Sequence, residues 1–232
     1  MRSLKCLSAN QIKAVAVTAM LADHLAWWLL TTGSAGGQLV HFIGRLTAPL
    51  MCWFIAHGYT HTSDVRRYIQ RLIIFAVISH FPYVIYFGFR WYANTSVIFT
   101  LLLGLIAIHF CSKYRNKTLQ LLFILFCCIL AYNSDWSYIA VLWIVFFYRF
   151  RSNLKAQLIA FISIGLAFYA LPQFILSEFS DVYVFGFLLA VPFILLYSGR
   201  RGKKSALTKW SFYIFYPLHL IILSVLKYIV FE

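Results

Sequence analysis

Nine apolar stretches, separated by connections too short to fold on their own, take up nearly the whole of this chain. They lie at about 12–30, 38–60, 69–89, 95–111, 118–133, 136–149, 155–176, 181–197 and 208–231. A helix crossing a hydrocarbon core of about 30 Å needs roughly 17 to 25 apolar residues, and most of the nine reach that length. Hydrophobic residues make up 62% of the 232 and charged residues 11%, more apolar surface than a water-soluble domain can hide. The sequence therefore predicts an all-α polytopic membrane bundle, a single integral-membrane domain over 1–232.

Of the 20 Lys and Arg residues, 17 fall on alternate connections, as they do when basic loops stay on the cytoplasmic side; the other three are Arg45 inside a span, Arg90 in an outer loop and Lys227 near the outer end of the last span. Arg2, Lys5 and Lys13 precede or open the first span, and Arg66, Arg67 and Arg71 separate the second from the third. Lys113, Arg115 and Lys117 follow the fourth; Arg149, Arg151 and Lys155 follow the sixth; Arg200, Arg201, Lys203, Lys204 and Lys209 follow the eighth. Asp135, Glu178, Asp181 and Glu232 fall on the other side. The pattern predicts a cytoplasmic N-terminus and an outer C-terminus. It also bears on 118–149, because one long helix there would put the basic clusters on either side of it on opposite faces. A hairpin turning at Asn133-Ser134-Asp135 is expected instead, although two spans of about 15 residues each reach only about 22 Å.

The net charge of +14 is thus a topology signal spread over five short loops, and no nucleic-acid partner is expected. Cys6, Cys52, Cys111, Cys127 and Cys128 show no CxxC spacing and read as small apolar filler. His57 and His61 have a metal-ligand spacing but no third ligand nearby, so no metal is expected.

Ionisable groups within the spans are the functional clue, since they are expensive in lipid and mark sites. Asp23 and His24 sit side by side in the first span, and Arg45 lies inside the second. Asp23 and Arg45 are each seven residues from the outer end of their span, about 10 Å deep at helical rise, and opposite charges at matched depth on neighbouring helices should pair. Adjacent residues on a helix point about 100° apart, so Asp23 faces Arg45 while His24 turns into a cavity. The other reading is a structural ion pair beside a packed imidazole. His80 before Phe81-Pro82, and His219 in Phe215-Tyr216-Pro217-Leu218-His219, place two more imidazoles near mid-membrane beside prolines, where a freed carbonyl adds polarity.

Asp23-His24, then Gly44-Arg45-Leu46-Thr47-Ala48-Pro49-Leu50, the aromatic and small residues up to Gly58, and Phe215-Tyr216-Pro217-Leu218-His219-Leu220 together resemble the TraX family. The likeness follows the order of spans along most of the chain, but its specific part is these patches. A wider similarity joins the chain to integral-membrane acyltransferases that acetylate sugars. The resemblance implies a bacterial inner-membrane protein that uses acetyl-CoA to acetylate the N-terminal amine of a pilin, with Asp23, His24, Arg45, Pro49 and His219 as the matching positions. His80, Pro49 and Tyr216 are expected to line the polar cavity.

Acetyl transfer from a thioester to an amine needs a base, and a neutral imidazole suits it; His24 is given that role. Arg45 either stabilises the oxyanion or, neutralised by Asp23, holds two helices in register. His219 is a second proton carrier or the nucleophile, and both direct transfer and an acetyl-histidine intermediate remain open. Arg66, Arg67, Arg200, Arg201, Lys203 and Lys204 are the candidates for the phosphates of acetyl-CoA. Two rival functions fit the same residues: a proton-coupled secondary transporter relaying through Asp23, His80 and His219, and a noncatalytic partner in pilus or envelope assembly.

Overall fold

The computed structural model describes residues 5–203 and 206–231; Arg2, Lys204 and Glu232, which the charge pattern used, lie outside them. Every apolar stretch is helical, and no named strand occurs among the described residues. The elements are α1 (Ala9–Leu29), α2 (Ala35–Gly44), α3 (Thr47–His61), α4 (Val65–Phe87), α5 (Val97–Lys113), α6 (Lys117–Leu130) and α7 (Ser137–Arg149). Then come α8 (Leu154–Gly165), a π turn (Leu166–Ala170), α9 (Leu171–Leu176), a 3-10 helix (Val182–Leu189), α10 (Ala190–Leu196) and α11 (Ala206–Phe231).

Among the described residues, five segments are long and apolar enough to cross a membrane: Ala9–Leu29, Ala35–His61, Val65–Phe87, Leu154–Leu176 and Trp210–Val230. Four shorter apolar helices, Val97–Lys113, Lys117–Leu130, Ser137–Arg149 and Val182–Leu196, accompany them. α4 shows why such helices need lipid. Leu72, Phe75, Ala76, Ser79, Tyr83 and Tyr86 are buried, while Ile74, Val77, Ile78, Phe81 and Ile85 form an exposed stripe at helical spacing. Water would not tolerate a continuous apolar face of that kind; hydrocarbon covers it.

Three expected spans depart from a plain α-helix. The second is broken after Gly44, and α3 starts afresh at Thr47. Pro49, in the first turn of α3, explains the break: it has no N–H for the Arg45 carbonyl and its ring would clash with that carbonyl in a continuous helix. The seventh contains the π turn. The eighth begins as eight residues of 3-10 helix, longer than that geometry usually sustains.

The chain forms two compact units, Met1–Met51 with Gly165–Phe215, and Cys52–Ile164 with Tyr216–Glu232. In the first, α2 packs on both α1 and the 3-10 helix. In the second, α5 packs on α4, α6 and α7, and α6 on α7. The hairpin expected in 118–149 is present, with α6 and α7 joined by a turn over residues 131–136. That turn is stitched to the segment before α5: the Asp135 N–H donates to the Thr95 carbonyl at 2.9 Å, and the Thr100 hydroxyl donates to the Asp135 carbonyl at 2.8 Å. At 14 and 13 residues the two helices rise only about 20 Å each.

Candidate functional site

The site in the first unit is built by α1 and α2, which pack together across the connection 30–34. Ser34 caps α2 by accepting the Gly37 N–H. The Thr47 hydroxyl, just past the break, donates to the Ala16 carbonyl of α1 at 2.8 Å. These contacts fix the register that brings Gly44 against the Asp23 side chain.

Asp23 meets Arg45 as matched depth predicts, with Arg45 Nη2 3.4 Å from Oδ2. The closer partner is one that depth matching passed over. His41 Nδ1 lies 2.8 Å from Asp23 Oδ1, and the imidazole is wholly buried between Trp27, with ring centroids 4.5 Å apart, and Tyr183 at 5.5 Å. A carboxylate only accepts, so Nδ1 carries the proton and donates it to Asp23, which leaves the lone pair of the neutral ring on Nε2. Nε2 makes no hydrogen bond among the described residues. An acid that orients an imidazole through Nδ1 and leaves the Nε2 lone pair without a partner is the acid–imidazole half of a general-base arrangement, here with Nε2 buried.

Arg45 caps the C-terminus of α2, its guanidinium 5.2 Å from the centroid of the Tyr183 ring and hydrogen-bonded to the hydroxyl of Tyr169. Tyr169 comes from the π turn, a local widening of the helix often found where a side chain must be aimed. Tyr183 belongs to the 3-10 helix, whose first turn is tied to α2 by the Tyr183 N–H donating to Gln38 Oε1 at 3.0 Å. Each irregular segment of the unit thus delivers a tyrosine to one guanidinium.

His24 is buried, and its Nδ1 donates to the Met20 carbonyl at 2.8 Å. Pro49 is also buried, and its role is the break described above. Among the expected cofactor residues of this unit, Arg200 and Arg201 are exposed, and it is their carbonyls that do structural work: the N–H groups of Ala9 and Asn10 donate to them at 2.9 and 3.2 Å. Asn10 Nδ2 likewise donates to the Lys203 carbonyl, so the 198–203 segment clasps the start of α1.

The remaining sequence-selected residues belong to the second unit. His80 is half-buried and its Nε2 donates to the Trp91 carbonyl at 2.6 Å, which secures the chain after α4. Tyr216 and His219 are both buried and meet edge-on at 5.5 Å between ring centroids. Arg67 is engaged with Asp64, Nε to Oδ2 at 3.1 Å, while Arg66 is exposed. The His57 and His61 rings lie 4.2 Å apart, with His61 Nδ1 donating to the His57 carbonyl. Tyr59, which the sequence reading did not select, hydrogen-bonds Ser112 at 2.6 Å and His109 at 3.2 Å.

Residues 8–227 match the sequence profile of the family described as "TraX protein". A curated relative, the "Probable fimbrial assembly protein FimC, serogroup H1" of Dichelobacter nodosus, is 31% identical over 238 residues, covering 95% of this chain and 96% of the relative. No solved structure matches.

Proposed function

The chain belongs to the TraX family, and from that premise we propose that it is an inner-membrane acetyltransferase moving the acetyl group of acetyl-CoA to the N-terminal amine of a pilin-like membrane polypeptide. The observation that carries this reading is the Asp23-held imidazole of His41. Nε2 of His41 takes a proton from the attacking amine, the amine nitrogen bonds to the thioester carbonyl carbon, and a tetrahedral oxyanion forms. As the C–S bond breaks, the coenzyme A thiolate leaves and the imidazolium returns the proton to it. Asp23 stabilises the imidazolium in between, a service a neutral carbonyl such as that of Met20 performs less well. His41 is therefore the better-supported base and His24 the second imidazole of the same unit. Arg45, held by Asp23, Tyr169 and Tyr183, gives the buried carboxylate its counter-charge, since an unpaired charge there would be untenable.

A pilin-like acceptor is supported by the name of the Dichelobacter nodosus relative, which refers to fimbrial assembly. The experiment is to incubate purified protein in detergent with acetyl-CoA and a synthetic single-span pilin-like peptide, then weigh the peptide. A gain of one acetyl group on its N-terminal amine is expected. Pilus assembly that depends on the protein without any thioester consumption would replace the reading with a noncatalytic assembly role, and proton flux in proteoliposomes without thioester consumption would replace it with transport.

The basic segment 200–203 supplies a second measurement. Because its carbonyls rather than its side chains cap α1, Arg200→Ala with Arg201→Ala removes charge while sparing the fold. The KM for acetyl-CoA is expected to rise about tenfold, the scale of one lost charge-assisted phosphate contact, with kcat little changed. An unaltered KM would remove these two arginines from the cofactor path.

A further inference from the structure

The second unit contains a hollow of about 450 Å³ between α5, α6 and α7 that the acetyl-transfer chemistry does not use. Its volume falls within the roughly 300–1,000 Å³ of small-molecule sites. Its walls are graded along the helices. Lys117, Arg149 and Arg151 stand at one end, and Leu121, Leu125 and Val145 line the other; no carboxylate is among the residues that line it. Along α6 the lining runs from Lys117 to Leu125, about 12 Å at helical rise, close to the half-thickness of a bilayer core of about 30 Å.

We propose that this hollow binds one anionic phospholipid, its phosphate held by Lys117, Arg149 and Arg151 and one acyl chain lying in the slot beyond them. Charge complementarity selects the head group, and the apolar length selects a lipid over a soluble phosphate, which has no hydrocarbon to place against Leu121 and Leu125. Those two side chains are 57% and 49% exposed, so the slot opens sideways, the direction from which a lipid arrives. Arg151 is pre-set for the head group. Its guanidinium stacks 4.5 Å from the centroid of the Tyr148 ring, and Nη1 donates to the Tyr148 carbonyl at 3.0 Å, which leaves further donors of the fork for phosphate oxygens. The floor is held in place by Gln120 Nε2, which donates to the Cys111 carbonyl at 3.1 Å and fastens α6 to α5. Basic recesses between helices at a membrane surface commonly bind such head groups.

The test is native mass spectrometry of the full chain from mixed micelles containing phosphatidylglycerol or phosphatidylcholine at equal concentration. One retained phosphatidylglycerol per chain is expected, with at least about tenfold preference over phosphatidylcholine, the scale of several surface cations acting on one head group. K117Q with R149Q and R151Q should abolish the preference while leaving the thermal unfolding midpoint in neutral detergent unchanged. Val145→Trp, which fills the slot and keeps the cations, should lower retention of both lipids. Equal retention of the two lipids, a preference that survives loss of the three cations, or displacement of phosphatidylglycerol by millimolar inorganic phosphate would each overturn the proposal. None of these readouts depends on acetyl transfer, so this site and the proposed activity stand or fall separately.

Discussion

His41→Ala is expected to lower kcat for acetyl transfer by about 10² to 10⁴-fold, the usual contribution of a positioned general base, with little change in KM for acetyl-CoA. The ring is buried between Trp27 and Tyr183 and touches Asp23 through one nitrogen, so truncation leaves an imidazole-sized void. Added imidazole should enter it and restore part of the rate, a recovery that loss of structural support alone would not give. His24→Ala, measured beside it, is expected to cost less, because its Nδ1 donates to the Met20 carbonyl and not to a carboxylate as that of His41 does. The reverse order, with His24→Ala dead and His41→Ala active, would return the base to the residue that the Asp23-His24 pair first suggested. Asp23→Asn should fail in both rate and stability, since it disturbs the His41 tautomer and strands Arg45; removing one member of a buried ion pair costs about 3–5 kcal/mol.

The Asp23–Arg45 pairing was legible because depth along two consecutive helices is simple arithmetic and lipid forces opposite charges together. His41 was equally within reach. It lies one helical turn before Arg45, four residues away, and so shares its face, but matching depth by formal charge ignored a neutral ring. The break in the second span was written in Pro49, whose effect reaches back to the residues before it. The α6–α7 hairpin followed from turn-forming residues and charge parity. By contrast, the 3-10 helix at Val182–Leu189 is a tertiary effect. Gly186 lies against the Phe42 carbonyl so closely that any Cβ would clash, and only the assembled α2 surface dictates that contact. The π turn that aims Tyr169 likewise carries no local signature. The partner of His80 was not legible either: its mid-span position suggested a cavity, and that the returning chain brings the Trp91 carbonyl to its ring follows from the turn after α4.

Gly44→Ala is the smallest change expected to disable the site without touching a reacting group. The new methyl would fall on Cβ, Cγ and Oδ1 of Asp23, a short side chain that cannot swing away without releasing both His41 and Arg45. Overpacking of this kind costs about 1–3 kcal/mol, and the displaced carboxylate adds an unpaired buried charge to that. The thermal unfolding midpoint in detergent should therefore drop, and acetyl transfer by the fraction that remains folded should approach that of His41→Ala. Gly36→Ala supplies the contrast. It lies in the same helix with nothing within 4 Å of its added Cβ, and alanine is the better helix former by about 1 kcal/mol, so stability should hold or rise and activity should persist. Wild-type rates from Gly44→Ala would mean that the Asp23 carboxylate does not lie against α2, and the His41–Asp23 geometry on which the proposed base depends would have to be abandoned.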